Sequence, residues 1–333
     1  ALKFDFVKEN RKHLMKKDAQ IAALTAPEAL PATNVSNVGF VANWNTVSSA
    51  NYYEVDVMRI FSTTEDAEYL SLYEDFLLMQ EYPSEVTGYL DGLTYRWDWY
   101  LYGGKLADRS IVFPQTSSKG QTQLQTPMMD FSGEGETETV YFSFVAEGAV
   151  GDKIGIGYYY TDDEGEDLAF AFQPVTFEEG TMTKTLYAEL PAVDALGFLI
   201  YTDPTMQNTG DVKLKTFLVS REFAAGTEFM EVYDYRQTAE TSASFFTIEK
   251  DTETEGVSDE FVYGVYALNV DMNKGEILDM SDMSDMILVG ATGSVEGVKA
   301  SREKIFVHDK LHVVLDKPET VSVYNMAGVL VAS

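Results

Sequence analysis

The chain contains no cysteine, which excludes a disulfide framework, a thiolate zinc site and a cysteine nucleophile together. Histidine is nearly as scarce: His13, His308 and His312 are the whole complement. With one in a basic N-terminal stretch and two in strand-like sequence near the other end, no His-based triad or HExxH metal site can be assembled. No apolar run approaches the roughly 20 residues that a membrane-spanning helix needs. The N-terminal end also lacks the apolar core of a signal peptide, and Ala1 is read as a mature N-terminus left after such a peptide is removed. Positive charge is short as well: 24 Lys and Arg face 54 Asp and Glu, a formal net charge of -30. A phosphate backbone would be repelled by that field, so nucleic acid is set aside as a partner.

What remains is ample for folding. In 333 residues, 45% are hydrophobic and 13% aromatic, enough for two or three domains with real cores. Acidic side chains on the outer faces of strands keep sheets soluble and unpaired. Carboxylate-rich loops could also hold calcium, which takes six to eight oxygen ligands.

Residues 8–23 (KENRKHLMKKDAQIAA) are helix-favouring and basic, opposite in sign to the rest, and are read with residues 1–25 as a leader or linker. From about Ala26 the pattern changes to period two. Gly39 to Trp44 (GFVANW) and Tyr52 to Ile60 (YYEVDVMRI) alternate apolar with polar residues, the signature of half-buried strands. Their natural partners, Thr241 to Ile248 and Tyr263 to Asn269 (YGVYALN), lie far downstream. Between them come strand-like runs at Val140 to Val145, Lys153 to Tyr160, Leu168 to Phe172, Met182 to Leu190 and Ala195 to Tyr201. Many short strands with almost no helical periodicity predict an all-β chain.

The residues Gly39, Phe40, Ala42, Trp44, Val47, Ala50, Tyr53, Val55 and Val57 resemble the early strands of fibronectin type III domains in secreted Bacteroidetes-type proteins. The order of Glu74-Asp75-Phe76, an aromatic-Gly103-Gly104 run, Thr126 to Gly133 and the strand at Val140 is similar to the jelly roll of cleaved-adhesin and choice-of-anchor surface proteins. Residues 321–331 (VSVYNMAGVLV) resemble part of the C-terminal sorting domain of type IX secretion, with the final hairpin of that family missing at Ser333. Together these resemblances imply a fibronectin type III-like domain (26–63 with 229–289) interrupted by a jelly roll (64–228), and a small C-terminal β unit (290–333). They also imply a protein that is secreted or displayed at the outer surface. In the jelly-roll family a closing strand often carries an Asp-Asp calcium pair; Lys215 and Thr216 stand there in VKLKTFLV, so that site is not carried over.

Two groups of residues are candidates for ligand chemistry. Arg96, Trp97, Asp98, Trp99, Tyr100 and Tyr102, with Tyr95 and Lys105 beside them, could stack on and hydrogen-bond a sugar ring. The same alternation of Tyr95, Trp97 and Trp99 could instead fill the core from one strand face. Asp162, Asp163, Glu164, Glu166 and Asp167 have the composition of a cation-binding loop without the D-x-D-x-D-G spacing of an EF-hand. A hairpin tip between Tyr158-Tyr159-Tyr160 and Leu168 is the preferred reading there. Because those three tyrosines are consecutive, at least one ring must face away from the core. The expectation is a non-catalytic binding or adhesion protein for a glycan or extracellular protein, with no cofactor beyond calcium. A carboxylate-pair glycosidase and a ligand-free spacer or assembly subunit are the alternatives.

Overall fold

A computed structural model describes residues 24–132, 135–162, 165–247 and 257–290, together with the backbone of four short strands between 304 and 332. The chain is all-β, with a single short 3-10 turn at Pro204–Met206 among the described residues. Strands β1 (Ala29–Ser36), β2 (Gly39–Trp44) and β3 (Tyr52–Thr63) open a first sandwich. A second sandwich follows: β4 (Ala67–Glu74), β5 (Tyr82–Tyr89), β6 (Tyr100–Leu106), β7 (Ile111–Phe113), β8 (Thr122–Gln125), β9 (Thr137–Glu147), β10 (Lys153–Thr161), β11 (Asp167–Ala171), β12 (Val175–Thr176), β13 (Thr181–Pro191), β14 (Leu196–Thr202) and β15 (Val212–Phe223). The first is then completed by β16 (Glu228–Thr238), β17 (Ser242–Phe246), β18 (Val257–Asp271), β19 (Glu276–Met280) and β20 (Ile287–Leu288). Beyond it, β21 (Lys304–Val307) pairs with β22 (Leu311–Val314), and β23 (Val323–Tyr324) with β24 (Leu330–Ala332).

The first sandwich packs a three-stranded sheet, β1-β2-β17, on a five-stranded one, β16-β3-β18-β19 with β20 beside β18. Period-two alternation in β2 turns Phe40, Ala42 and Trp44 inward, where they meet Tyr53, Val55 and Val57 from β3 and Tyr263, Val265 and Ala267 from β18. Strands β3 and β18 pair over their length, from Tyr52 opposite Leu268 to Thr63 opposite Val257. Two tyrosine hydroxyls tie the layers together: Val47 donates its N–H to Tyr53 (2.9 Å), and Tyr263 donates to the Leu30 carbonyl.

Twelve strands form the second sandwich as one sheet curled on itself, in the order β11-β10-β14-β8-β6-β7-β15-β9-β13 with β4, β5 and β12 attached. One wall holds β5, β6, β8, β14, β10 and β11; the other holds β4, β15, β9 and β13. Aromatic rings bridge them, with Phe198 of β14 lying 5.2 Å from Phe142 of β9 and 5.9 Å from Phe217 of β15. This is the jelly-roll geometry that the strand pattern predicts.

The second sandwich grows out of a hairpin of the first. Pairing of β3 with β16 runs to Ser62 opposite Glu228, and pairing of β4 with β15 resumes at Ala67 opposite Phe223. Between them the two ribbons fold back on one another, so that Phe61 stacks on Tyr69 at 3.9 Å. Inside this corner sits a buried ionic cluster. Arg59 donates to Glu231 Oε1 (2.9 Å) and to the Leu70 carbonyl (2.8 Å), Arg221 approaches Glu231 Oε2 at 3.5 Å, and the Tyr69 hydroxyl adds a third donor to Glu231 at 3.2 Å. Rings of Tyr69, Phe223 and Phe229 cover the two guanidinium groups.

A second polar pair near the corner is poorly matched. Asp234 is buried, and its Oδ2 faces Arg236 Nη2 at 3.9 Å, with neither atom hydrogen-bonded. Burial therefore dominates and pushes the Asp234 carboxyl up to about 6, with Arg236 and Arg96 pulling the other way. Its native pKa lies above the unfolded value near 3.8, so this group favours folding fully below about pH 3.8 and loses that contribution as pH rises through 6. Urea unfolding of the wild type and Asp234→Asn at pH 7.5 and pH 4.5 should show the wild type gaining on the variant at the lower pH by about 2–3 kcal/mol. A constant difference across that window would show that Asp234 does not titrate there.

Candidate ligand-binding cleft

The aromatic run from Tyr95 to Tyr102 is divided three ways by the fold. Residues 91–99 form a loop, and β6 begins only at Tyr100, so the alternation of Tyr95, Trp97 and Trp99 is not that of a strand. Trp99 is fully buried in the second core, against Phe76 at 5.7 Å and Phe217 at 6.5 Å. It cannot touch a ligand, which corrects its placement as a sugar contact.

Tyr95, Arg96, Trp97 and Asp98 plug the seam between the two sandwiches. The Tyr95 hydroxyl donates to Asp75 at 2.6 Å while its ring meets Phe246 of β17 at 5.8 Å. Burial and the Asp75 carboxylate hold that phenol far above its ordinary value. Arg96 is buried, donating to the Ser71 carbonyl at 3.0 Å with its guanidinium over Tyr233. Trp97 lies 4.9 Å from the Arg236 guanidinium, which stacks on Phe245 from its other side. Asp98 takes a left-handed conformation (φ +69) and accepts from the Tyr235 hydroxyl at 3.2 Å. These contacts tie buried Arg96 and half-buried Trp97 to the packing of the seam, and neither lines the depression formed by Tyr89, Tyr100 and Tyr159.

Tyr100 and Tyr102 alone go to a different surface. Leu101 and Leu124 point into the core, so alternation sends Tyr100 and Tyr102 of β6, and Gln123 and Gln125 of β8, to the outer face of the wall. Register then extends this face across five strands. One row runs Tyr89, Tyr100, Gln125, Leu199 and Gly157; the next runs Thr87, Tyr102, Gln123, Tyr201 and Gly155. A third sets Gly197 opposite Tyr159. The glycines are required by the rings: a Cβ on Gly155 would lie 2.3 Å from the Tyr201 ring, and one on Gly197 would lie 2.5 Å from that of Tyr159.

Curvature brings the two ends of this face together. Tyr89 and Tyr100 from one side and Tyr159 from the other line a single shallow depression open to solvent, enclosing only about 20 Å³, with Asp98, Gln125, Thr126 and Met128. Tyr89 stands at its lip, 47% exposed and edge-on to Tyr100 at 5.3 Å. The Tyr159 hydroxyl is anchored to the Thr126 carbonyl at 2.9 Å, so the one tyrosine of the 158–160 run that faces away from the core is the one that enters the cleft. Tyr158 and Tyr160 stack instead on Phe170.

A polar pocket of about 190 Å³ opens beside the other end of the same wall, lined by Gln115, Thr116, Ser117, Thr202, Gln207 and Asn208 among others. Glu85 of β5 pins its loop by accepting from the Ser118 amide (2.9 Å) and hydroxyl, which hold its carboxyl below the usual range. Lys119 of that loop lies 5.5 Å over the Tyr102 ring. The 207–210 segment is held by buried Asp152, which accepts from the Thr209 amide (2.6 Å) and hydroxyl (3.0 Å). Lys105 is half-buried on β6 and outside both pockets.

The acidic loop is a hairpin tip joining β10 to β11, with Thr161 opposite Asp167. The Glu166 amide donates to Asp162 Oδ1 at 2.8 Å, and Asp167 accepts from the Thr161 hydroxyl at 2.9 Å; Asp163 and Glu164 lie outside the described residues. Among the described residues no group of three or more metal-ligating side chains converges. Lys215, at the position of the family's calcium pair, lies at a bulge of β15 and approaches Glu147 at 3.6 Å.

No protein-family model matches the chain, and no curated protein matches it. Solved structures with partial similarity include a family 29 carbohydrate-binding module (17% identity, 43% of this chain and 90% of that one, TM-score 0.25). The CBM22-1 xylan-binding domain of a Paenibacillus barcinonensis protein gives 15% identity over 48% of this chain and 98% of that one, TM-score 0.26. The CBM22-1–GH10 modules of a Clostridium thermocellum endo-1,4-beta-D-xylanase give 16% identity over 46% of this chain, TM-score 0.28, and the match spans only 28% of the xylanase chain. The fold itself defines the class: an all-β protein with a jelly-roll sandwich set into a smaller one. No helix among the described residues is long and apolar enough to cross a membrane.

Proposed function

We propose that this is a non-catalytic carbohydrate-binding protein of the cell exterior, and that the tyrosine-lined cleft on the jelly roll is its binding site. The observation that carries the reading is the convergence of Tyr89, Tyr100 and Tyr159 over Gln125. Tyrosine rings offer flat apolar faces to the C–H side of a pyranose, and phenol and amide groups of this kind can exchange hydrogen bonds with its O–H groups. The glycosidase alternative needs two carboxyl groups about 5 to 9.5 Å apart across the scissile bond. Among the described residues Asp98 is the one carboxylate that lines the cleft, and it accepts from the Tyr235 hydroxyl.

An array of soluble and insoluble polysaccharides, run with calcium and with chelator, tests this directly. Tyr89→Ala, at an exposed lip where folding is little affected, should weaken binding at least about ten-fold. Binding indifferent to Tyr89 and Tyr100, or no binding to any glycan, would refute the site. Release of reducing ends from a bound polysaccharide would replace the non-catalytic reading with a hydrolase.

A further inference from the structure

The outer face of the five-stranded sheet carries an apolar patch that neither the cleft nor the corner uses. One row of directly opposed residues runs Val232, Met58, Val262 and Leu288 across β16, β3, β18 and β20, and the next sets Met230 opposite Ile60, with exposed Glu260 of β18 at its edge. Arg59, Phe61 and Phe261, which alternate with them, are buried on the other side. Met230 (53%), Val232 (42%), Ile60 (37%) and Leu288 (36%) are exposed, while Met58 and Val262 form the floor between them. Met283 extends the patch, its sulfur over Gly264.

We propose that the C-terminal segment, residues 291–333, docks on this patch. Continuity is the first reason: Leu288 is itself a member of the row, and the chain continues from Gly290 two residues later. The start of the segment, three residues beyond Leu288, is therefore within about 10 Å of the patch. Charge is the second. The segment holds five acidic residues (Glu296, Glu303, Asp309, Asp316, Glu319) and five basic ones (Lys299, Arg302, Lys304, Lys310, Lys317), so it is neutral in a chain of net charge -30. It can approach the acidic sheet without the repulsion that a second copy would meet. Area is the third. The exposed apolar surface is on the order of a few hundred Å², well below the roughly 800 Å² per partner of a standard free-standing interface. A tethered segment needs far less, because its effective concentration is set by a short connection. Apolar runs to fill the patch are present at Ile305-Phe306-Val307, Val313-Val314-Leu315 and Val329-Leu330-Val331.

Limited trypsin digestion of the 333-residue chain tests the docking, since the segment carries four cleavage sites of its own, Lys299, Arg302, Lys304 and Lys310. Met230→Asp and Val232→Asp, both at exposed positions, should each raise cleavage between Lys299 and Lys310 at least ten-fold while leaving the thermal unfolding of the sandwiches in place. Ile60→Cys provides a second readout in a chain with no other thiol: it should react slowly with a thiol reagent, and at least ten-fold faster once Met230→Asp is added. Unchanged cleavage in the Asp variants would overturn the proposal. So would protection that grows with protein concentration, which points to a second copy, or an effect confined to sites in residues 1–23, which points to the basic leader.

Discussion

Replacing Glu231 with alanine is expected to destabilise the protein by about 3–5 kcal/mol, the loss that follows when one partner of a buried ion cluster is removed. The size comes from the charges left behind rather than from the hydrogen bonds removed. Arg59 and Arg221 would remain in the corner, both fully buried, with Glu231 gone as their common carboxylate. Two guanidinium groups that have lost their shared carboxylate under the rings of Tyr69, Phe223 and Phe229 must either stay desolvated or drag water into the seam. The corner is also where the two sandwiches are joined, so urea unfolding should change in shape: one cooperative transition in the wild type, two separable ones in Glu231→Ala. Arg59→Met, Arg221→Met and Glu231→Leu together should cost much less than Glu231→Ala alone, because no charge is stranded. A wild-type midpoint in Glu231→Ala would mean the cluster is solvated rather than buried.

The second large effect separates two neighbours in sequence. Trp99→Ala should lower stability by about 3–5 kcal/mol, the usual cost of emptying a fully buried aromatic site, since Trp99 is enclosed by Phe76 and Phe217. Tyr100→Ala should leave stability within about 1 kcal/mol and reduce glycan affinity by about 30-fold or more, as for a central aromatic contact. Urea titrations and calorimetric binding on the same two variants read the two quantities independently. A Tyr100→Ala protein that binds like the wild type would remove the cleft from consideration. A Trp99→Ala protein that is fully stable but does not bind would return the tryptophan to the site.

That contrast also shows where sequence reading stops. Alternation located β2 and β3 closely, because period-two patterning is a local consequence of having one wetter face and one dry one; β10 and β14, buried on both faces along most of their length, showed as short apolar runs instead. It failed at 91–99, where large aromatics alternate through a loop. There the rings are buried by contacts with β4, β16 and β17, none adjacent in sequence. Tyr89, Gln123, Gln125, Tyr159 and Tyr201 were not singled out as a site for the same reason. Each comes from a different strand or a different end of one, and only register sets them in rows. The consecutive tyrosines at 158–160 held a partial signal, since one of them had to leave the core.

The amino-acid sequence by itself determined the all-β class, the absence of thiols, the scarcity of histidine, the acidic net charge and the positions of many strands. These follow from composition and from patterns a few residues long. Tertiary structure decided which aromatics are core, which seal the seam and which line a cleft, and it assembled Arg59, Arg221 and Glu231 into one buried cluster. Those outcomes depend on strand register and sheet curvature, which are set by the packing of residues brought together across the whole chain.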